Sequence, residues 1–273
     1  MAINPNELIL DRVRYLTAHD LETKEKLFML TQLEEPSLNC TAEGEDVTDA
    51  VGALITTMYR SKQAEFTATN SLLSLDLAAA QFGATKEVAG EGSAIVDWTY
   101  EFIDVPANAK TVKLGKTPVN ESVKFIYAVE NGAAATSYAA AAAESATEFV
   151  ISYNGETAGT ITLPTDMFVN EKGESVAGKI FVEYQYESTS AVRVVNSASE
   201  FPEACEVVIY CIFRDVCNEN KVYAGKIVCP KAKLDPSSVE LALTSTGKHA
   251  FTMKMFKDYC SVDEELFTII VAE

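Results

Sequence analysis

The chain has 273 residues, with 22 Lys and Arg against 40 Asp and Glu, for a formal net charge of −18. Its length serves one large domain or two small ones, and 48% hydrophobic with 23% charged residues excludes a disordered or collagen-like chain. No apolar run approaches the ~20 residues that span a bilayer, and a chain this acidic repels phosphate backbones and anionic lipid, which excludes nucleic-acid recognition by a basic arm.

The opening Met1-Ala2-Ile3-Asn4-Pro5-Asn6-Glu7 has neither the basic start nor the apolar stretch of a secretion signal. The product is therefore expected to stay in the compartment where it is made. Period-two alternation cut by frequent turn residues then predicts an antiparallel β protein. Residues 10–17 and 25–33 read as a hairpin with Leu27 and Met29 on one face, closed by Pro36. A strand starts near Ser37, and an acidic loop around Glu43-Gly44-Glu45-Asp46 leads to Asp49 and to Gly52, which ends a turn.

Residues 53–59 read as a strand that turns at Arg60-Ser61-Lys62 and pairs with 64–69, where Ala64, Phe66 and Ala68 alternate. One helix follows, with Asn70 or Ser71 as N-cap, a stripe of Leu72, Leu75, Ala79 and Phe82, and Gly83 at the C-terminal left-handed position. Composition loosens between Gly90 and Gly92, and a smaller β unit is expected over 98–187, with strands at 98–105, 111–114, 123–129, 148–153, 157–163 and 179–186. Its alanine-rich stretch 132–144 reads as a short surface helix or a mobile loop. Strong strands return at 205–213, 222–229, 239–244, 250–256 and 266–271. The domains expected are thus 1–97, an inserted 98–187, and 188–273.

No motif for chemistry emerges. Gly90-Glu91-Gly92 lacks the third glycine of a phosphate loop, and neither a nucleophile elbow nor a zinc-protease helix is present. Cys205, Cys211 and Cys217 recur in an apolar run, where Cys acts as a small buried hydrophobe. His19 and His249 are expected at exposed turns or strand ends, and Trp98 in a core or at a subdomain boundary. No catalytic, cofactor-binding or metal residue is assigned, and no cofactor is expected.

Residues 8–96 resemble the major tail tube protein of long-tailed bacteriophages, most closely that of contractile-tailed ones. The resemblance rests on Thr41-Ala42-Glu43, the run Val47 to Ile55, Tyr59-Arg60-Ser61-Lys62-Gln63-Ala64-Glu65-Phe66, and the run Asn70 to Gln81. It implies a mainly β fold: a tail-tube-like β-sandwich or barrel-forming core with one flanking α-helix, plus the smaller inserted β subdomain. It also implies a virion protein of the phage tail, made in the host bacterial cytoplasm, which self-assembles into stacked hexameric rings. Implied partners are sheath, tape measure, baseplate and neck proteins, with double-stranded DNA passing unbound and no membrane. Open strand edges completed by sister copies would carry this assembly, and Ala64, Phe66, Ala68, Asp49 and Gly52 are the candidate subunit contacts. The alternatives are a capsid decoration or tail terminator protein, or the inner tube of a contractile injection system.

Overall fold

The computed structural model describes residues 7–272, apart from 217, 219, 238, 242–246 and 258–263. The chain opens with β1 (Leu8–Asp20), β2 (Lys26–Leu30), β3 (Leu33–Thr48), β4 (Leu54–Asn70) and helix α1 (Leu75–Phe82). There follow β5 (Glu87–Val88), β6 (Ile95–Val105), β7 (Thr111–Lys113), β8 (Phe125–Glu130), β9 (Ala133–Ala140), β10 (Glu148–Ser152), β11 (Thr160–Thr162), β12 (Gly178–Ser188) and β13 (Val192–Arg193). The chain ends with β14 (Ala204–Asp215), β15 (Val222–Leu234), β16 (Glu240–Leu241), β17 (His249–Met255) and β18 (Thr268–Ala272). The protein is mainly β, as the alternation predicts. Close contacts divide it into two compact units, one of residues up to 86 with those from 194 on, the other Glu87–Arg193.

The first unit is one sheet ordered β2-β1-β14-β15-β17-β4-β3, with β16 on β17 and β18 on β15. Its end strands β2 and β3 are successive in the chain, so the sheet curls into a nearly closed barrel around a single core. The core face is legible in the alternation: Cys205, Val207, Ile209 and Cys211 of β14 are buried, as are Phe251, Met253 and Met255 of β17. In β2 the buried pair is Phe28 and Leu30, while Leu27 and Met29 face outward, opposite to the expected face. Helix α1 covers the core with Leu77, its N-cap is Ser74, whose hydroxyl accepts from the Leu77 amide at 3.2 Å, and Asn70 belongs to β4. Gly83 ends the helix at φ 68, where its amide meets the last-turn carbonyls.

Several expected breaks are absent. Pro36 does not close a strand; it sits within β3 at an irregularity between Glu34 and Ser37, a place that tolerates its missing amide. The acidic stretch 43–46 is strand, not loop, and Arg60-Ser61-Lys62 is no turn, because β4 runs straight through with only Ser61 at positive φ. Residues 53–59 therefore pair with β3 and not with 64–69. Of the strand expected at 239–244, only Glu240–Leu241 is formed among the described residues.

The second unit has a sheet ordered β6-β12-β8-β9-β10-β11-β7 and a small β13-β5 pair. Its core gathers Ile126, Phe149, Ile161, Ile180, Val182 and Tyr184, all wholly buried. The alanine-rich stretch is neither helix nor loop: β9 pairs antiparallel with β8 and parallel with β10. Alanine is a poor strand former, and the two flanking strands override that preference.

Candidate functional site

Strand β17 pairs with β4 only over Ala64–Asn70. Among the described residues the earlier part of β4 pairs with β3 alone, with Gly44 opposite Tyr59, Glu45 opposite Met58 and Val47 opposite Thr56. The result is a two-stranded arm of seven register pairs, from Thr41 opposite Gln63 to Thr48 opposite Leu54, whose β4 stretch at ~3.3 Å per residue reaches ~33 Å. A two-stranded ribbon has no core of its own and is marginal in water. This one also exposes Val51, Leu54, Ile55, Met58 and Tyr59, with Ile55 65% and Tyr59 74% accessible.

The tip is built by Asp49 and Gly52. The Asp49 carboxylate accepts the amides of Val51 at 2.9 Å and Ala53 at 2.8 Å, and Gly52 takes φ 84, which side chains resist. Along the arm Thr57 donates to Asp46 at 2.7 Å, and Arg60 lies 3.4 Å from Glu45. Ala64, Phe66 and Ala68 lie elsewhere. Their side chains are 3%, 2% and 6% exposed in the core, and their backbones pair with β3 and β17 of the same chain. The fold thus brings Asp49 and Gly52 together at a tip and keeps the other three candidates inside.

A second set of unfinished borders lies where β1, β14, β15 and β18 form a four-stranded patch. Leu8 to Val13 of β1 pairs with β14, and Ala224 to Val228 of β15 pairs with β18. Strand β2 reaches only Leu16 to His19 of β1, so among the described residues the earlier part of β1 has a free border, and β18 has a free border on its far side. Ile9 and Leu10 are exposed at the first border, and Ile269 and Ile270 at the second. These borders carry no sequence motif; the unpaired length of β1 follows from the shortness of β2.

The buried titratable groups have structural settings. His249, expected in an exposed place, is fully buried, its Nε2 meets the Gln81 side-chain oxygen, its Nδ1 has no partner, and burial lowers its pKa. Burial also raises the Cys205 thiol to about 11 and the Cys229 thiol to about 12, leaving both unreactive. Cys217 lies outside the described residues. Asp235 is held down to about 2, chiefly by the Lys254 ammonium and then by Ser237. In the second unit Glu101 accepts the Gly115 amide at 3.0 Å and the Tyr184 hydroxyl, which in turn accepts the Lys116 amide at 3.1 Å. Among the described residues, no group of three His, Cys, Asp or Glu side chains is arranged to hold a metal ion, and no helix is long and apolar enough to cross a membrane.

Trp98 is not in a core. It is 60% exposed on β6, beside Tyr100 and Phe102 on the same strand face. The arrangement of the first unit is one of strand borders and an apolar arm, suited to pairing with other chains. The model of the YomU/Tube protein family matches residues 8–265. No curated protein matches the sequence.

Proposed function

We propose that this chain, which belongs to the YomU/Tube protein family and is thereby a structural component of a phage tail tube, polymerises through its unfinished strand borders into stacked hexameric rings. Each copy contributes β1, β14, β15 and β18 to a continuous ring sheet, the β18 border of one meeting the β1 border of the next. Exposed Ile9, Leu10, Ile269 and Ile270 at these borders become buried there. The arm of β3 and β4 reaches the neighbouring ring, tip first, which assigns Asp49 and Gly52 to shaping a contact. The role of Ala64, Phe66 and Ala68 is to hold the arm's root to the core.

The observation that carries this reading is the arm. Among the described residues no third strand covers this apolar ribbon, and adding strands to a neighbour is the ordinary way such edges are satisfied. The bore of such a tube carries DNA during ejection. A uniform repulsion of phosphate would keep the DNA sliding, and its support is the net charge of −18. The four ring strands add no net negative charge to that repulsion, since Arg12, Arg14, Arg214, Lys226, Lys231 and Lys233 outnumber Asp11, Asp20, Glu206 and Asp215, with Arg214 and Asp11 3.2 Å apart. The second unit is an insertion in the sequence of the tube core. Association with sheath, tape measure, baseplate and neck proteins follows from the same place in the virion, as does synthesis in the host cytoplasm.

Electron microscopy of the purified chain tests this directly. Hollow tubes of constant width with six-fold end views are expected. Discrete small oligomers would refute it and favour a decoration or terminator protein.

A further inference from the structure

The outer face of the second unit's sheet is unusually aromatic. On β6 the side chains of Trp98, Tyr100 and Phe102 stand in a row at 60%, 65% and 51% exposure. Phe181 of β12 lies opposite Phe102 in register, with ring centroids 5.1 Å apart, and Tyr127 of β8 lies opposite Phe181 at 6.0 Å. The other face of the same strands buries Ile180, Val182 and Ile126, so the sheet is apolar on both sides where one solvated polar side is usual. Cross-strand ring pairing accounts for Phe102, Phe181 and Tyr127. It does not account for Trp98, whose register partner is Gln185.

Beside the row of rings runs a row of acceptors. Glu187 is opposite Val96, Gln185 opposite Trp98 and Glu183 opposite Tyr100. Lys179, on the same face, is taken up by Asp104 at 3.1 Å. The whole unit has fifteen Asp and Glu against seven Lys and Arg, so a nucleic acid or an anionic glycan would be repelled. What complements apolar rings flanked by acceptors is a ligand with apolar faces, many hydroxyl donors and no negative charge.

We propose that this face binds a neutral polysaccharide chain, whose sugar rings stack on Trp98, Tyr100 and Phe102 while its hydroxyls donate to Glu183, Gln185 and Glu187. Successive rings on one strand face are ~6.8 Å apart, so the row addresses several sugars of a polymer and not a lone monosaccharide. Tyr100 and Phe102 are turned 83° to one another, and Tyr100 and Phe181 37°. A stepped surface of this kind fits a single soluble chain with a twist and not a flat crystalline one.

Trp98 is the sole tryptophan, so its emission reports on this face. The unassembled full-length chain is titrated with dextran, laminarin, glucomannan and galactomannan, with hyaluronan and polylysine as anionic and cationic comparisons. The result is thereby independent of whether tubes form. A saturable emission shift with at least one neutral polymer is expected, weakened about tenfold in the Tyr100→Ala/Phe102→Ala chain, which keeps the reporter. Glu183→Ala, at an exposed position, gives the same direction without touching a ring. The proposal is overturned by a shift with no neutral polymer, by a shift with polylysine alone, or by undiminished binding in both variants. It is also overturned if acrylamide quenching of Trp98 disappears on assembly, since a neighbouring protein then covers the face.

Discussion

Replacing Ile55 and Tyr59 of the arm by Ser removes two apolar side chains from one face of β4. Both are already largely in water, 65% and 74% accessible, so the free chain loses little: surface substitutions of this kind change stability by ~0.5 kcal/mol or less. Burying a large apolar side chain contributes about 1.5–3 kcal/mol. With roughly two thirds of each still to be buried, each contributes about 1–2 kcal/mol to a ring contact, and the pair about 2–4 kcal/mol. At 1.4 kcal/mol per factor of ten, the critical concentration for tube growth rises by about 30- to 1,000-fold. Sedimentation velocity over a dilution series measures that concentration, and thermal unfolding of the unassembled chain is followed in parallel. Tubes growing at the wild-type concentration would refute the reasoning. A large drop in melting temperature would refute it differently, by showing that the arm is held by its own chain.

Three further predictions concern the stability of the two units. Burial holds His249 neutral, with its pKa below the ordinary 6.5, so the unfolded chain takes up the proton first. Stability from this residue is present above about pH 6.5 and falls by up to about 1.4 kcal/mol per pH unit below it, until the native imidazole titrates. His249→Gln should flatten the dependence of melting temperature on pH between 7 and 5, and an unchanged slope would exclude His249 as its source. Tyr184→Phe strands the Lys116 amide and removes a donor to Glu101, costing about 1–3 kcal/mol in denaturant unfolding while tubes still form. Gly83→Ala places a methyl 2.3 Å from the Phe201 carbonyl oxygen and forces a left-handed residue. A loss exceeding the about 1–2 kcal/mol of backbone strain alone is expected in the same assay.

Period-two alternation made the core strands readable in the sequence because one face of each is buried: Val207, Ile209 and Cys211, or Phe251 and Met253, announce their direction by themselves. The C-terminal glycine of α1 was equally plain, since few residues accept φ 68. The long strands were not. Pro36, the acidic run at 43–46 and Arg60-Ser61-Lys62 each favour a break locally, yet β3 and β4 pair almost continuously, with irregularities absorbing the misfits at Glu34/Ser37 and Thr41/Glu43. Strand length there depends on a partner strand, and no local propensity encodes it. The strand Ala133–Ala140 is hidden from local propensity for the same reason.

The candidate contacts divide along this line. Asp49 and Gly52 are legible as turn residues because a tip needs particular turn chemistry, which is local. Ala64, Phe66 and Ala68 were chosen for their alternation, but a clean alternation means that one face already has a core to enter, and these three do enter it. A strand meant for another copy should look different, apolar on both faces and without a period, because its burial partner is absent from its own chain. Leu54, Ile55, Met58 and Tyr59 have that character: adjacent positions point to opposite sides of the arm, and all four are exposed. In a β protein that assembles, the stretch where period two fails without becoming polar is therefore a better guide to the interface than the stretch where it holds.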